Sequence, residues 1–154
     1  MLDKIIVDTS VLIALDKINL LPLLCKVYSE VWVPESVKKE FGEIMLPCIK
    51  FTRSKGKIIN LLGKDLNLGI GESEVISLAQ ENNVHVLIDD LKARKTALSL
   101  DIKVSGTIGF LIKAYQLKLI SSALEYANKL RLIGFYIADD LLLDIKKLEE
   151  GQKL

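Results

Sequence analysis

KIIVDTSVLIALDK, residues 4 to 17, is a strand that runs straight into a helix. Ile5, Ile6 and Val7 form a short β-branched apolar run that stops at Asp8. Thr9 and Ser10 then offer an N-cap, and Val11, Leu12, Leu15 and Ile18 recur at helical spacing through about Lys17. A strand followed at once by a helix suits a crossover connection, and crossovers build parallel sheets.

The same grammar recurs at residues 84 to 100, VHVLIDDLKARKTALSL. Val84 to Ile88 reads as a strand ending at Asp89-Asp90, and Leu91 to Leu100 as its helix. Between these units, Glu30 to Val33 reads as a strand, and Pro34 starts a helix carrying Val37, Phe41 and Ile44. Residues 45 to 56 are expected as a short helix, Lys57 to Leu62 as a strand and Gly63 to Gly71 as a loop. Glu72 to Asn82 reads as a helix closed by Asn82-Asn83. Ile102 to Val104 is a strand, and helices follow over Thr107–Leu117 and Ser121–Leu132. Phe135 to Ile137 is expected as an edge strand, and Asp139 starts a final helix. The alternation predicts an α/β fold: three layers, with helices on both faces of a central parallel sheet.

Composition sets bounds on this reading. At 154 residues, half of them hydrophobic, the chain suits a single domain spanning residues 1–154 with a substantial core. A formal net charge of +1 supplies no global pull on nucleic acid, so any such binding must come from local clusters or from metal. Cys25 and Cys48 lack metal-ligand spacing and are expected as free thiols in a reducing compartment. The N-terminus has no signal-peptide pattern, and no apolar run reaches the ~18 residues of a membrane span. The expected location is the cytoplasm.

Parallel α/β sheets bind ligands outside the carboxyl ends of their strands, so the acids found there carry information. Asp8 and Asp89-Asp90 end two strands and therefore share one edge. Glu72, opening the preceding helix, can reach that edge, as can Glu40, roughly two turns into the helix after Pro34. Carboxylates brought together repel, and burial raises their pKa values. A hard divalent cation with oxygen ligands, Mg²⁺ or Mn²⁺, removes that penalty, holds a phosphate and activates water. Each acid also has a plainer reading. Asp8 could be a turn residue, Asp89-Asp90 and Glu72 helix-capping charges, and Glu40 a solvated residue on a lysine-rich face. The joint placement is more specific than any member. His85, the only histidine, reads as structural, and Gly69-Ile70-Gly71 is too short for a phosphate loop.

Taken in order, these motifs resemble a known family. Asp8-Thr9-Ser10 after an apolar strand, Val33-Pro34 then Glu40, Gly71-Glu72-Ser73-Glu74, Ile88-Asp89-Asp90 with Ala93-Arg94, and Gly106-Thr107-Ile108-Gly109 look like a PIN domain. The likeness covers about residues 3 to 145 and lies with the branch that carries Gly-Glu-x-Glu and a double Asp. It implies a metal-dependent ribonuclease, often the toxin of a toxin–antitoxin pair and often a homodimer, with RNA as substrate and an antitoxin protein as partner. By resemblance, Asp8, Glu40, Glu72 and Asp90 match the acidic quartet, with Asp89 as the alternative ligand to Asp90. Ser10 matches the small polar residue beside the first Asp, and Arg94 and Thr107 are expected near the substrate. Common toxin members carry Asp where this chain has Glu72, and often Pro where it has Val11.

Two basic clusters could supply phosphate contacts, Lys92, Arg94 and Lys95 after Asp90, and Arg53, Lys55 and Lys57, but outside Arg94 a solvated surface is the expected reading. Aromatic residues are only 6% of the chain, so base stacking is not expected as the main mode of binding. Two other classes stay open on the residues alone: a non-catalytic module that binds RNA or protein, and a phosphotransfer protein that forms an acyl-phosphate on one Asp.

Overall fold

A computed structural model describes residues 3–56, 58–59 and 61–151. Five strands form one parallel sheet: β1 (Lys4–Val7), β2 (Glu30–Pro34), β3 (Ile49–Thr52), β4 (His85–Leu87) and β5 (Val104–Ser105), in the order β3-β2-β1-β4-β5. The first three strands step outward one way from β1, and the last two step out the other way. The order therefore reverses between β1 and β4, where Ile5, Ile6 and Val7 pair with His85, Val86 and Leu87. The carboxyl ends of the strands part there, and the fold opens a crevice.

Eight α-helices flank the sheet among the described residues: α1 (Thr9–Lys17), α2 (Leu24–Val27), α3 (Glu35–Phe41), α4 (Ile70–Asn82), α5 (Leu91–Ser99), α6 (Thr107–Gln116), α7 (Ala123–Leu132) and α8 (Asp139–Glu149). They complete a three-layer α/β/α architecture. The inner strands hold apolar runs, Ile5 to Val7, Val31 to Val33 and Val86 to Ile88, because helices cover both sheet faces. Ile6, Val7, Val31, Val33 and Leu87 are all fully buried. Helix α4 turns Val75, Ile76 and Leu78 inward and packs on β1, β2 and β4, while α1 packs on α3 and α6. Among the described residues no helix is long and apolar enough to cross a membrane.

Several expectations need correction. The third strand is Ile49–Thr52, not Lys57–Leu62, because Ile49 to Thr52 pair with Val31 to Pro34 of β2. Lys57 and Asn60 lie outside the described residues, and Leu61–Asp65 is a wide helical turn. Residues 45 to 56 thus hold a strand rather than a helix. Phe135 to Ile137 is not an edge strand but the α7–α8 connection, and the sheet ends at β3 and β5. Helix α1 takes Asp8 as its N-cap residue, with Thr9 and Ser10 already inside the helix. Cys25 and Cys48 are not free: they form a disulfide with Cα atoms 5.4 Å apart, tying α2 to the segment entering β3. Strand pairing brings β3 alongside β2 and so delivers Cys48 to Cys25, a non-local effect that residue spacing does not display.

Candidate metal and nucleic-acid site

Main-chain bonds fix where the acids begin. The Asp8 N–H donates to Leu87 O at 3.0 Å and extends the β1/β4 ladder by one residue. Ile88 N–H donates to Ser105 O at 2.8 Å and does the same between β4 and β5. Asp8, Asp89 and Asp90 therefore leave the sheet side by side at the switch point. Helix α4 brings in Glu72 in its first turn, where Glu72 Oε1 accepts the Gly69 N–H at 3.2 Å. Helix α3 brings in Glu40, and its start is held from α4 by the Ser36 N–H, which donates to Glu74 Oε1 at 3.1 Å. Glu74 thus orients the helix that carries Glu40.

The resulting cleft, about 930 Å³, is lined by seven of the eight residues singled out in the sequence: Asp8, Ser10, Glu40, Glu72, Asp89, Asp90 and Arg94. Thr107 does not line it. It is fully buried, and its N–H and hydroxyl donate to the two Asp89 oxygens at 2.8 and 2.5 Å. Asp90 caps α5 through Oδ2, which accepts the Ala93 N–H at 2.9 Å. Lys92 and Lys95 are exposed on α5, and Arg53 pairs with Glu35. Lys55 donates its backbone N–H to Glu81, and Lys57 lies outside the described residues. His85 stands exposed on β4 and lines no part of this cleft.

Burial sets the electrostatics, and the neighbouring acids add to it. Asp8 is only 4% exposed, and burial pushes its pKa up to about 7. The Thr9 backbone N–H opposes that rise, while the charges of Glu72, Glu40 and Asp89 reinforce it. Glu72 is raised too, chiefly by burial, with Asp90 and Glu40 adding to the effect despite the bond from Gly69. Glu72 and Asp90 lie within hydrogen-bonding reach of each other. Two carboxylates can share such a contact only if a proton or a cation sits between them.

Two glycines make room for this arrangement. A Cβ on Gly71 would sit 2.6 Å from Glu40 Oε1 and 3.8 Å from Asp8 Oδ1, so the bare glycine leaves room for both carboxylates beside it. A Cβ on Gly106 would sit 2.5 Å from Asp89 Oδ1 and 3.1 Å from Arg94 Nη1, which puts Arg94 beside Asp89.

A family model described as a PIN domain matches residues 4–150. The chain belongs to the PIN domain family. No curated protein matches it.

The donor set of this PIN domain fits a hard cation. It is all oxygen, it contains a buried carboxyl whose ionisation is opposed by burial, and beside Asp8 the Thr9 hydroxyl is buried without a partner. Among the described residues no three acidic, histidine or cysteine side chains stand close enough to form a ready-made cage.

The site also holds parts the sequence reading missed. Gly71 and Gly106 work through the side chain they lack, and Thr9 through an orphan hydroxyl inside a motif noted for its neighbours. Phe135 and Tyr136 line the cleft from the α7–α8 connection. Their β-favouring composition suggested a strand, and only the absence of a neighbouring strand to pair with argues otherwise.

Proposed function

We propose that this PIN domain, residues 1–154, is a metal-dependent endoribonuclease. Asp8 and Asp90 would hold Mg²⁺ or Mn²⁺, with Glu40 and Glu72 completing the shell or orienting water, and Asp89 as the alternative ligand. When bound, the cation supplies charge neutralisation for phosphate and a more acidic water. The observation that carries this reading is the buried Asp8 carboxyl, faced by acids from three other segments at the switch point of the sheet.

The chain's own groups divide the remaining work. Thr107 holds the Asp89 carboxylate in one orientation, and Asp89 thereby keeps the start of α6 against the end of β4. Arg94, half-buried at the cleft wall beside Asp89, is placed to meet a phosphate. Ser10 is exposed at the first turn of α1, where it can donate to a phosphate oxygen or a water.

The test is cleavage of a labelled single-stranded RNA with and without Mn²⁺. The parent protein should cut only with metal, and Asp8→Asn should lose cleavage while keeping its fold. Retained activity in that variant ends the assignment. A toxin role, with an antitoxin partner and a homodimer, goes with the resemblance and is checked by growth arrest on expression and its relief by the neighbouring gene product.

A second reading has its own support. Both Asp89 oxygens are already engaged by Thr107, and the acids form no ready-made cage among the described residues. A PIN-like module that binds RNA or protein without cutting predicts weak Mn²⁺ affinity and no turnover.

A further inference from the structure

Besides the acids, the same cleft is lined by an apolar group, Ile112, Phe135, Tyr136 and Leu141. Tyr136 is unusual within it, at 86% exposed. Its neighbours are not free to follow it into solvent. The Phe135 N–H donates to Leu130 O at 3.0 Å, and the Phe135 side chain packs on the core. Ile137 is buried at 3% exposure. Arg131 and Asp139 close the connection from outside, with Nη2 and Oδ1 at 2.6 Å. A six-residue turn between α7 and α8 is thus pinned on both sides of one outward tyrosine. An aromatic face exposed beside a binding cleft and held by fixed neighbours loses little freedom when a flat ligand covers it.

We propose that Tyr136 is a stacking platform for an unpaired base of single-stranded RNA whose backbone crosses the acidic floor. The proposal rests on the RNA-binding reading of this cleft and adds the feature that selects unpaired strands. A nucleotide joins an anionic group to a flat apolar ring, matching a cleft that holds Arg94 and a proposed cation site together with exposed aromatic surface. A base inside a duplex has no free face for Tyr136, so the wall discriminates by pairing rather than by sequence. Two of the chain's nine aromatic residues stand at this cleft, so placement outweighs the low overall content.

Binding is read without turnover, using a short fluorescein-labelled single-stranded RNA in Ca²⁺ and following its anisotropy. Tyr136→Ala should weaken binding about five- to hundredfold, and Tyr136→Trp should retain it. The loss should vanish with a duplex of the same sequence and shrink with an RNA carrying abasic positions. Equal affinity of parent and Tyr136→Ala for the single strand overturns the proposal, as does an equal loss on duplex. Unchanged RNA binding with loss of self-association in sedimentation overturns it too, and makes the wall a protein interface. Tyr136-dependent binding in a parent protein that never cleaves supports the platform and ends the nuclease reading alone.

Discussion

The two oxygens of Asp89 accept the backbone N–H and the hydroxyl of Thr107, at 2.8 and 2.5 Å, so this carboxylate is bound before any ligand arrives. The pair joins the end of β4 to the start of α6. Thr107→Val keeps the shape but removes the hydroxyl from a fully buried position. It should lower stability by about 1–2 kcal/mol, read from the urea unfolding midpoint. An unchanged midpoint would show that the clamp contributes nothing net.

Gly71→Ala places a Cβ where Glu40 Oε1 now lies at 2.6 Å. Glu40 is exposed and its side chain can swing away, so the cost in stability should stay below about 1 kcal/mol. Mn²⁺ affinity should nonetheless fall, because Glu40 is pushed from its place in the cleft beside Gly71. The check is a calorimetric titration beside a thermal melt, with the first affected and the second nearly unchanged.

The Cys25–Cys48 bridge closes a loop with a sequence separation of 23. Loop-closure entropy at that length corresponds to about 3 kcal/mol. Cys25→Ser with Cys48→Ser, or treatment with reductant, should lower the unfolding midpoint accordingly. The edge strand β3 should show the largest gain in amide exchange. Identical melts with and without reductant would show that the bridge does not form in solution.

Acid titration gives a prediction with a definite sign. The Asp8 pKa of the folded protein, about 7, lies above its ordinary value of 3.8, which applies when unfolded. The metal-free folded state therefore holds an extra proton between those values. Its stability is full below about pH 4 and falls as pH rises through about 7, by up to about 4 kcal/mol. Glu72 is raised as well and adds to the same trend. Thermal melts across this window should show the decline, Asp8→Asn should flatten it, and Mn²⁺ should offset it near neutral pH.

How much of this was legible in the chain follows from whether each signal is local. Asp8 and Asp89-Asp90 could be placed on one sheet edge because each directly ends its own apolar strand, and parallel strands share a carboxyl edge. The third strand could not be placed that way. Ile49 to Thr52 are half-buried or exposed and carry Lys50, and only pairing with Val31 to Pro34 makes them a strand. Lys57 to Leu62 looked more strand-like by composition, yet Leu61–Asp65 turns as a helix. The disulfide was hidden for the same reason, since it depends on β3 lying beside β2. Within the site, Glu74 and Thr107 act through bonds to elements distant in sequence, and no residue pattern encodes those partners. Base stacking was discounted on composition, whereas the meaning of Tyr136 lies in the pinned turn around it.

The central claim is that the carboxylates at the β1/β4 crevice form a site for a divalent cation, with Asp8 at its base. The most direct measurement is calorimetric titration of Mn²⁺ into the parent protein and into Asp8→Asn at neutral pH. Saturable binding to the parent, accompanied by proton release and lost in the variant, is the predicted result. Equal binding by both proteins, or none by the parent, would contradict it.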